Sequence, residues 1–104
     1  MNLPTIVSDL IKAQNNFDSE AYASCFSENA VVFDEGQTHN GRAAIANWID
    51  KANKDYQATM KPLEYSATDQ ALKTEVSGNF PGSPVTMVYY FKIGDGLISS
   101  LKIV

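Results

Sequence analysis

Ile45-Ala46-Asn47-Trp48-Ile49-Asp50-Lys51-Ala52-Asn53-Lys54-Asp55-Tyr56, followed by Gln57-Ala58-Thr59-Met60-Lys61-Pro62-Leu63-Glu64-Tyr65-Ser66, decides the fold. In its first half Ile45, Trp48, Ile49, Ala52 and Tyr56 recur at helical steps and predict one buried stripe. Asn40 or Gly41 caps this helix. After Tyr56 the period changes to that of a strand. Thr59 to Thr68 reads as one strand, with Pro62 marking an edge or a bulge, because proline has no N–H for a ladder.

Downstream, the strand reading continues to the last residue. Asp69-Gln70 turns the chain. From Ala71 to Phe80 the residues alternate, with Leu72, Thr74, Val76 and Phe80 on one face and Lys73, Glu75 and Ser77 on the other. Pro81-Gly82-Ser83-Pro84 is a turn signal. Val85 to Ile93 follows, with Val85, Met87, Tyr89, Phe91 and Ile93 on one face. Gly94-Asp95-Gly96 makes a tight hairpin into Leu97 to Val104, whose inner face is Leu97, Leu101 and Ile103.

Upstream, helices dominate. Leu3, Ile6, Val7, Leu10 and Ile11 predict a first helix from Pro4 to Asn15, with Pro4 in its first turn. Asp18 reads as the N-cap of a short second helix presenting Tyr22, Cys25 and Phe26. Ala30 to Asp34 reads as a strand, with Val31 and Phe33 on one face and Val32 and Asp34 on the other. Glu35 to Gly41 reads as a polar loop. The expected fold class is α+β, one domain over residues 1–104, with three N-terminal helices backing a curled sheet. Val88, Tyr90, Ile98 and Val104 add apolar content to the outer face of that sheet, which predicts a homodimer through the sheet.

Composition narrows the function classes. Eight Lys+Arg against twelve Asp+Glu give a net charge of −4, and the basic residues are scattered. No basic stripe exists to neutralise phosphates, so no nucleic-acid partner is expected. No apolar run approaches the ~20 residues of a membrane span, and Met1-Asn2-Leu3-Pro4 does not resemble a signal peptide. Cys25 and His39 are the only cysteine and histidine, so a Cys/His metal site is not expected. A cytoplasmic location is expected from the single cysteine. No cofactor motif is present.

Three stretches carry a family resemblance. They are Phe17-Asp18-Ser19-Glu20-Ala21-Tyr22 through Phe26-Ser27-Glu28-Asn29-Ala30-Val31-Val32-Phe33-Asp34; His39-Asn40-Gly41-Arg42-Ala43-Ala44-Ile45 with Trp48; and Val76-Ser77-Gly78-Asn79-Phe80-Pro81-Gly82-Ser83-Pro84 with Asp95-Gly96-Leu97-Ile98. With these the chain resembles a SnoaL-like domain of the nuclear transport factor 2-like superfamily, which also holds ketosteroid isomerases, scytalone dehydratases and polyketide cyclases. The resemblance implies a cone-shaped antiparallel or mixed sheet of the cystatin-like kind, an apolar interior, and dimerisation through the sheet. It also implies that Asp34 stands where ketosteroid isomerases carry their general base. Those enzymes need a tyrosine and a protonated acid as oxyanion donors, at positions that here fall near Leu10 and Val88, so both donors are missing.

Asp34, ending an apolar strand, is the candidate acid/base group, because desolvation would raise its pKa; a strand-end carboxylate bonding loop amides is the structural alternative. His39 is a candidate proton shuttle or a solvated loop residue. Arg42 could bind a ligand carboxylate or form a surface ion pair. Phe26, Phe33, Trp48, Met87 and Tyr89 are candidate pocket-lining residues, or plain core. Tyr65, Tyr89 and Tyr90 are candidate hydroxyl donors. The expected activity is cofactor-independent isomerase, cyclase or dehydratase chemistry on a small apolar molecule. The competing expectation is a non-catalytic ligand-binding or dimeric interaction module.

Overall fold

The computed structural model describes every residue from Met1 to Val104. Three helices come first: α1 (Thr5–Asn15), α2 (Ser19–Ser24) and, after two strands, α3 (Arg42–Tyr56). The strands are β1 (Phe26–Asp34), β2 (Gln37–Asn40), β3 (Thr59–Ser66), β4 (Ala71–Ser77), β5 (Val85–Gly94) and β6 (Leu97–Ile103). They form one curled, mixed sheet in the order β2-β1-β6-β5-β4-β3. Only the β1–β6 pair is parallel.

Local chemistry explains the elements. The buried side of α1 is Val7, Leu10, Ile11, Ala13 and Gln14, a stripe at helical spacing. Asp18 caps α2 by accepting a hydrogen bond from the Ala21 backbone N–H at 3.0 Å. Gly41 caps α3 with φ +90°, a region open to glycine at little cost. Along β5 the alternation holds: Tyr89 and Phe91 are buried and Thr86, Tyr90 and Lys92 exposed. The Gly94 turn carries positive φ at Asp95 and Gly96, the geometry of a tight two-residue hairpin. Pro62 lies on β3, an edge strand, beside a register shift against β4. The Asn15 carboxamide extends that edge: its Nδ2 donates to the Met60 carbonyl at 3.0 Å and its Oδ1 accepts from the Met60 N–H at 2.7 Å.

Several expectations are corrected. The segment read as a loop holds β2, which pairs with β1 through Val32–His39 and Asp34–Gln37. The loop reading failed because β2 is polar and mostly exposed, so it has no apolar face to alternate. Phe26 opens β1 rather than ending α2, because it pairs with Ile98 across the sheet. Ile98 points inward and is fully buried, not outward. Lys92 pairs with Ser100 but Ile93 with Ile98, so Ser99 is an extra residue on β6. That bulge reverses the facing of the residues before it. Tyr56 is exposed, stacking edge-on against Phe80 at 6.3 Å. Pro4 sits at the cap of α1, one position before its first turn.

The core lies between the helices and the concave face. Val7, Leu10, Phe26, Val32, Ile45, Leu72, Ile98 and Leu101 have no exposed surface. No helix is long and apolar enough to cross a membrane.

Candidate functional site

The strand register places the open end of the interior. On β5, Phe91 and Ile93 lie beside Leu101 and Ile98 of β6, in the filled core. Moving back along the same strand, Tyr89, Met87 and Val85 border a cavity of about 450 Å³, whose other wall is formed largely by α3. Twelve of the seventeen residues around it are hydrophobic, so its walls are largely apolar.

Asp34 ends β1 on the inner side and lines this cavity. Its carboxyl is held above the usual carboxylate range, chiefly by desolvation and then by the neighbouring Glu35 charge. His39 and the Glu35 amide act the other way. Two phenols join it. Tyr22 on α2 is 1% exposed and Tyr89 on β5 is 6% exposed, and both line the cavity. Burial pushes both hydroxyls up, and the Asp34 charge raises each further, so the three groups share one electrostatic neighbourhood. These neutral phenols are hydrogen-bond donors suited to a ligand oxygen.

The structure brings together Asp34, Trp48, Met87 and Tyr89 from the predicted set. It places the other four elsewhere. His39 sits behind the wall, stacked on Trp48 with centroids 5.0 Å apart and planes 24° apart. Trp48 in turn meets Tyr22 edge-on at 6.1 Å. His39 therefore supports the wall rather than forming it. Phe26 is fully buried beside Tyr22, at 5.6 Å between centroids, in the filled core. Phe33 is on the outer face, 42% exposed, because strand alternation from buried Val32 sends it there. Arg42 donates through Nε at 3.0 Å and Nη2 at 2.6 Å to the Phe26 carbonyl. That carbonyl lies at the register shift between Phe26 and Val31, and Arg42 satisfies it from the start of α3.

Among the tyrosines named as donors, Tyr65 only packs against the core and Tyr90 faces outward; Tyr89 alone reaches the cavity. Sequence reasoning missed Tyr22 as a cavity residue. It also missed Gln14 and Asn53, polar residues buried on the apolar stripes of α1 and α3, which also border the cavity. Their signal was visible: Gln14 follows Val7, Leu10 and Ile11 at the next helical step. Cys25 is buried with its thiol pushed up to about 11 by desolvation, which disfavours the reactive thiolate. No cluster of three metal-ligating side chains exists.

The family model described as a SnoaL-like domain matches residues 7–101. No curated protein matches the chain. Among solved structures, a candidate polyketide cyclase of Sinorhizobium meliloti is 40% identical, with a TM-score of 0.91, over 98% of this chain and 95% of its own. A Catenulispora acidiphila protein with a ketosteroid isomerase-like fold, solved with trimethylamine, is 20% identical. Its TM-score is 0.86, over 99% of this chain and 86% of its own. An epoxide hydrolase/cyclase-like enzyme of pyran ring formation in salinomycin is 23% identical, with a TM-score of 0.82, over 95% and 86%. At their identities the last two show the fold alone.

Proposed function

Because the chain belongs to the SnoaL-like domain family, we propose that it performs acid/base chemistry on a small, mostly apolar carbonyl compound held in the cavity. The observation that carries this reading is Asp34 on the wall of an apolar cavity, beside the buried phenols of Tyr22 and Tyr89. A desolvated carboxylate is a stronger base than one in water. It would take a proton from the carbon next to the carbonyl. The electron pair moves to the carbonyl oxygen, where a phenol hydroxyl donates to it. Return of that proton to another carbon gives an isomer; attack of the enolate carbon on a second carbonyl carbon of the same molecule closes a ring, and the alkoxide so formed takes the proton back from Asp34. Both use only groups of the chain and the substrate. Tyr22 stands on α2 rather than α1, and Tyr89 is the neighbour of Val88 on β5, so the reading does not depend on Leu10 or Val88. Likeness to the Sinorhizobium meliloti protein supports a cyclase over a steroid isomerase.

Trp48 is the only tryptophan and borders the cavity, so its emission reports occupancy. Planar carbonyl compounds titrated into the chain should quench it, and chromatography should find a product. Asp34→Asn should keep the quenching and lose about 10²–10⁴ in turnover. Quenching without turnover for every compound would leave the second reading, a carrier that uses the same cavity. The cavity itself supports that reading; absence of any quenching would sink both.

The same proposal includes a homodimer through the sheet and a cytoplasmic location. Phe33, Lys102 and Tyr90 lie side by side across β1, β6 and β5 on the outer face, with Val104 beyond. Phe33, Tyr90 and Val104 are each more than two-fifths exposed, which supports cover by a second copy. A monomer mass by sedimentation at micromolar concentration would refute the dimer.

A further inference from the structure

Gln14 is buried, 6% exposed, on the stripe of α1 that packs inward. Its Nε2 donates to Asn53 Oδ1 at 3.1 Å and to the Ala58 carbonyl at 2.8 Å. A backbone carbonyl only accepts, so the orientation of this amide is fixed. Asn53 is fixed in turn, because its Oδ1 accepts from the Gln14 amide. Its Nδ2 donates to Ser19 Oγ at 2.9 Å, and Ser19 Oγ donates to Asp50 Oδ1 at 3.4 Å. The chain of donors therefore runs from Gln14 and Asn53 outward to a surface carboxylate.

This network uses both Gln14 donors and leaves its carbonyl oxygen, Oε1, without a donor from the chain. No fully enclosed side-chain oxygen or nitrogen in the protein lacks a partner. Oε1 must therefore touch open space, and the space that Gln14 borders is the cavity. A carbonyl oxygen held in an apolar cavity favours a ligand that brings a donor to it, and penalises one that covers it without a donor.

We propose that Gln14 Oε1 is a specificity-determining acceptor, selecting ligands that carry a hydroxyl group in addition to their apolar body. The inference rests on the cavity being a ligand site, and it adds which ligands that site prefers. It is independent of proton transfer, because the Gln14–Asn53 network contains neither Asp34 nor the two phenols. An acceptor oriented by its own donors discriminates better than a freely rotating one, since it cannot turn to suit a ligand that lacks the hydroxyl.

The test uses the full chain and two probes of similar shape, 2-naphthol and 2-methoxynaphthalene. Titration is followed by Trp48 emission, and binding at Gln14 by the ¹H–¹⁵N signals of its side-chain amide. The expected result is roughly tenfold tighter binding of 2-naphthol, the worth of one net hydrogen bond. The Gln14 amide signals should shift with 2-naphthol and stay in place with the ether. In Gln14→Met the preference should shrink to about twofold or less. Should that variant not fold, the amide signals of the native chain decide. Equal affinities, a preference surviving in folded Gln14→Met, or 2-naphthol binding with unmoved Gln14 signals would each overturn the proposal. Failure of both probes to bind would instead remove the ligand site itself, and the inference with it.

Discussion

At one end of the concave face, Phe26, Ile98 and Leu101 meet Val7 and Leu10 with no exposed surface. At the other end, Val85, Met87 and Trp48 border about 450 Å³ of space. The same strands build both ends, and β5 runs from one to the other. What differs is what lies opposite. At the filled end, α1 and α2 lay large apolar side chains on the sheet. At the hollow end, the helices bring Trp48, Ile49 and Tyr56 to the wall but also the amides of Gln14 and Asn53 and the small Ala52, and together these leave the space unfilled. The polar groups of the site, Asp34, Tyr22 and Tyr89, collect where the filling stops. The filled end thus supplies the stability that lets the other end stay open.

This contrast can be broken by mutation. Phe26→Ala should cost the most, about 3–5 kcal/mol in denaturant unfolding, because its contacts are complete and the hole cannot collapse. Gly78→Ala should cost roughly 1–3 kcal/mol. A Cβ there would stand 2.8 Å from the Tyr56 carbonyl and 3.1 Å from the Ala58 Cα, both backbone and unable to yield cheaply. This change strains the hollow end, where the chain after β4 crosses the end of α3. Met87→Ala should cost only about 1 kcal/mol, below the usual range for a core methionine, because one side of Met87 already faces space. A cost equal to that of Phe26→Ala would mean that the cavity collapses around a ligand-free chain, and the comparison would fail.

The smallest effect concerns Asp34. Its carboxyl binds a proton more tightly folded than unfolded, so the native state holds more protons between the usual carboxylate range and the raised value. Stability therefore falls as pH rises through that window. Asp34→Asn removes the burden. Its melting temperature should exceed that of the parent at neutral pH, and the gain should vanish below the usual carboxylate range. A melting temperature below that of the parent at neutral pH, with the deficit closing toward low pH, would place Asp34 in a stabilising contact instead.

Most of the filled end was legible in the sequence, because alternation in β4 and β5 and the stripes of α1 and α3 are direct images of burial. The parts that were not have physical reasons. β2 carries no apolar face. Ile98 was assigned outward because strand parity counts residues, and the bulge at Ser99 adds one that only pairing reveals. Phe26 could belong to helix or strand until Ile98 claimed it. At the site, Asp34, Trp48, Met87 and Tyr89 were readable from strand and helix faces. Phe33 was not, since an aromatic on an outer face looks the same in sequence as one on an inner face. Tyr22 and Gln14 were visible as helix positions, but whether such a position meets a wall or a void depends on the strand opposite.

The parallel pairing of β1 with β6 bears on how the chain acquires its shape. Every other strand pair joins neighbours in sequence, whereas this one joins Val31–Phe33 to Ser100–Lys102. Its loop-closure entropy is the largest in the sheet. Phe26 has no strand partner until β6 is made. Contacts of such long sequence separation slow folding. The β3–β6 strands pair with sequence neighbours, so the β1–β6 pairing is the one contact of the sheet that must span most of the chain.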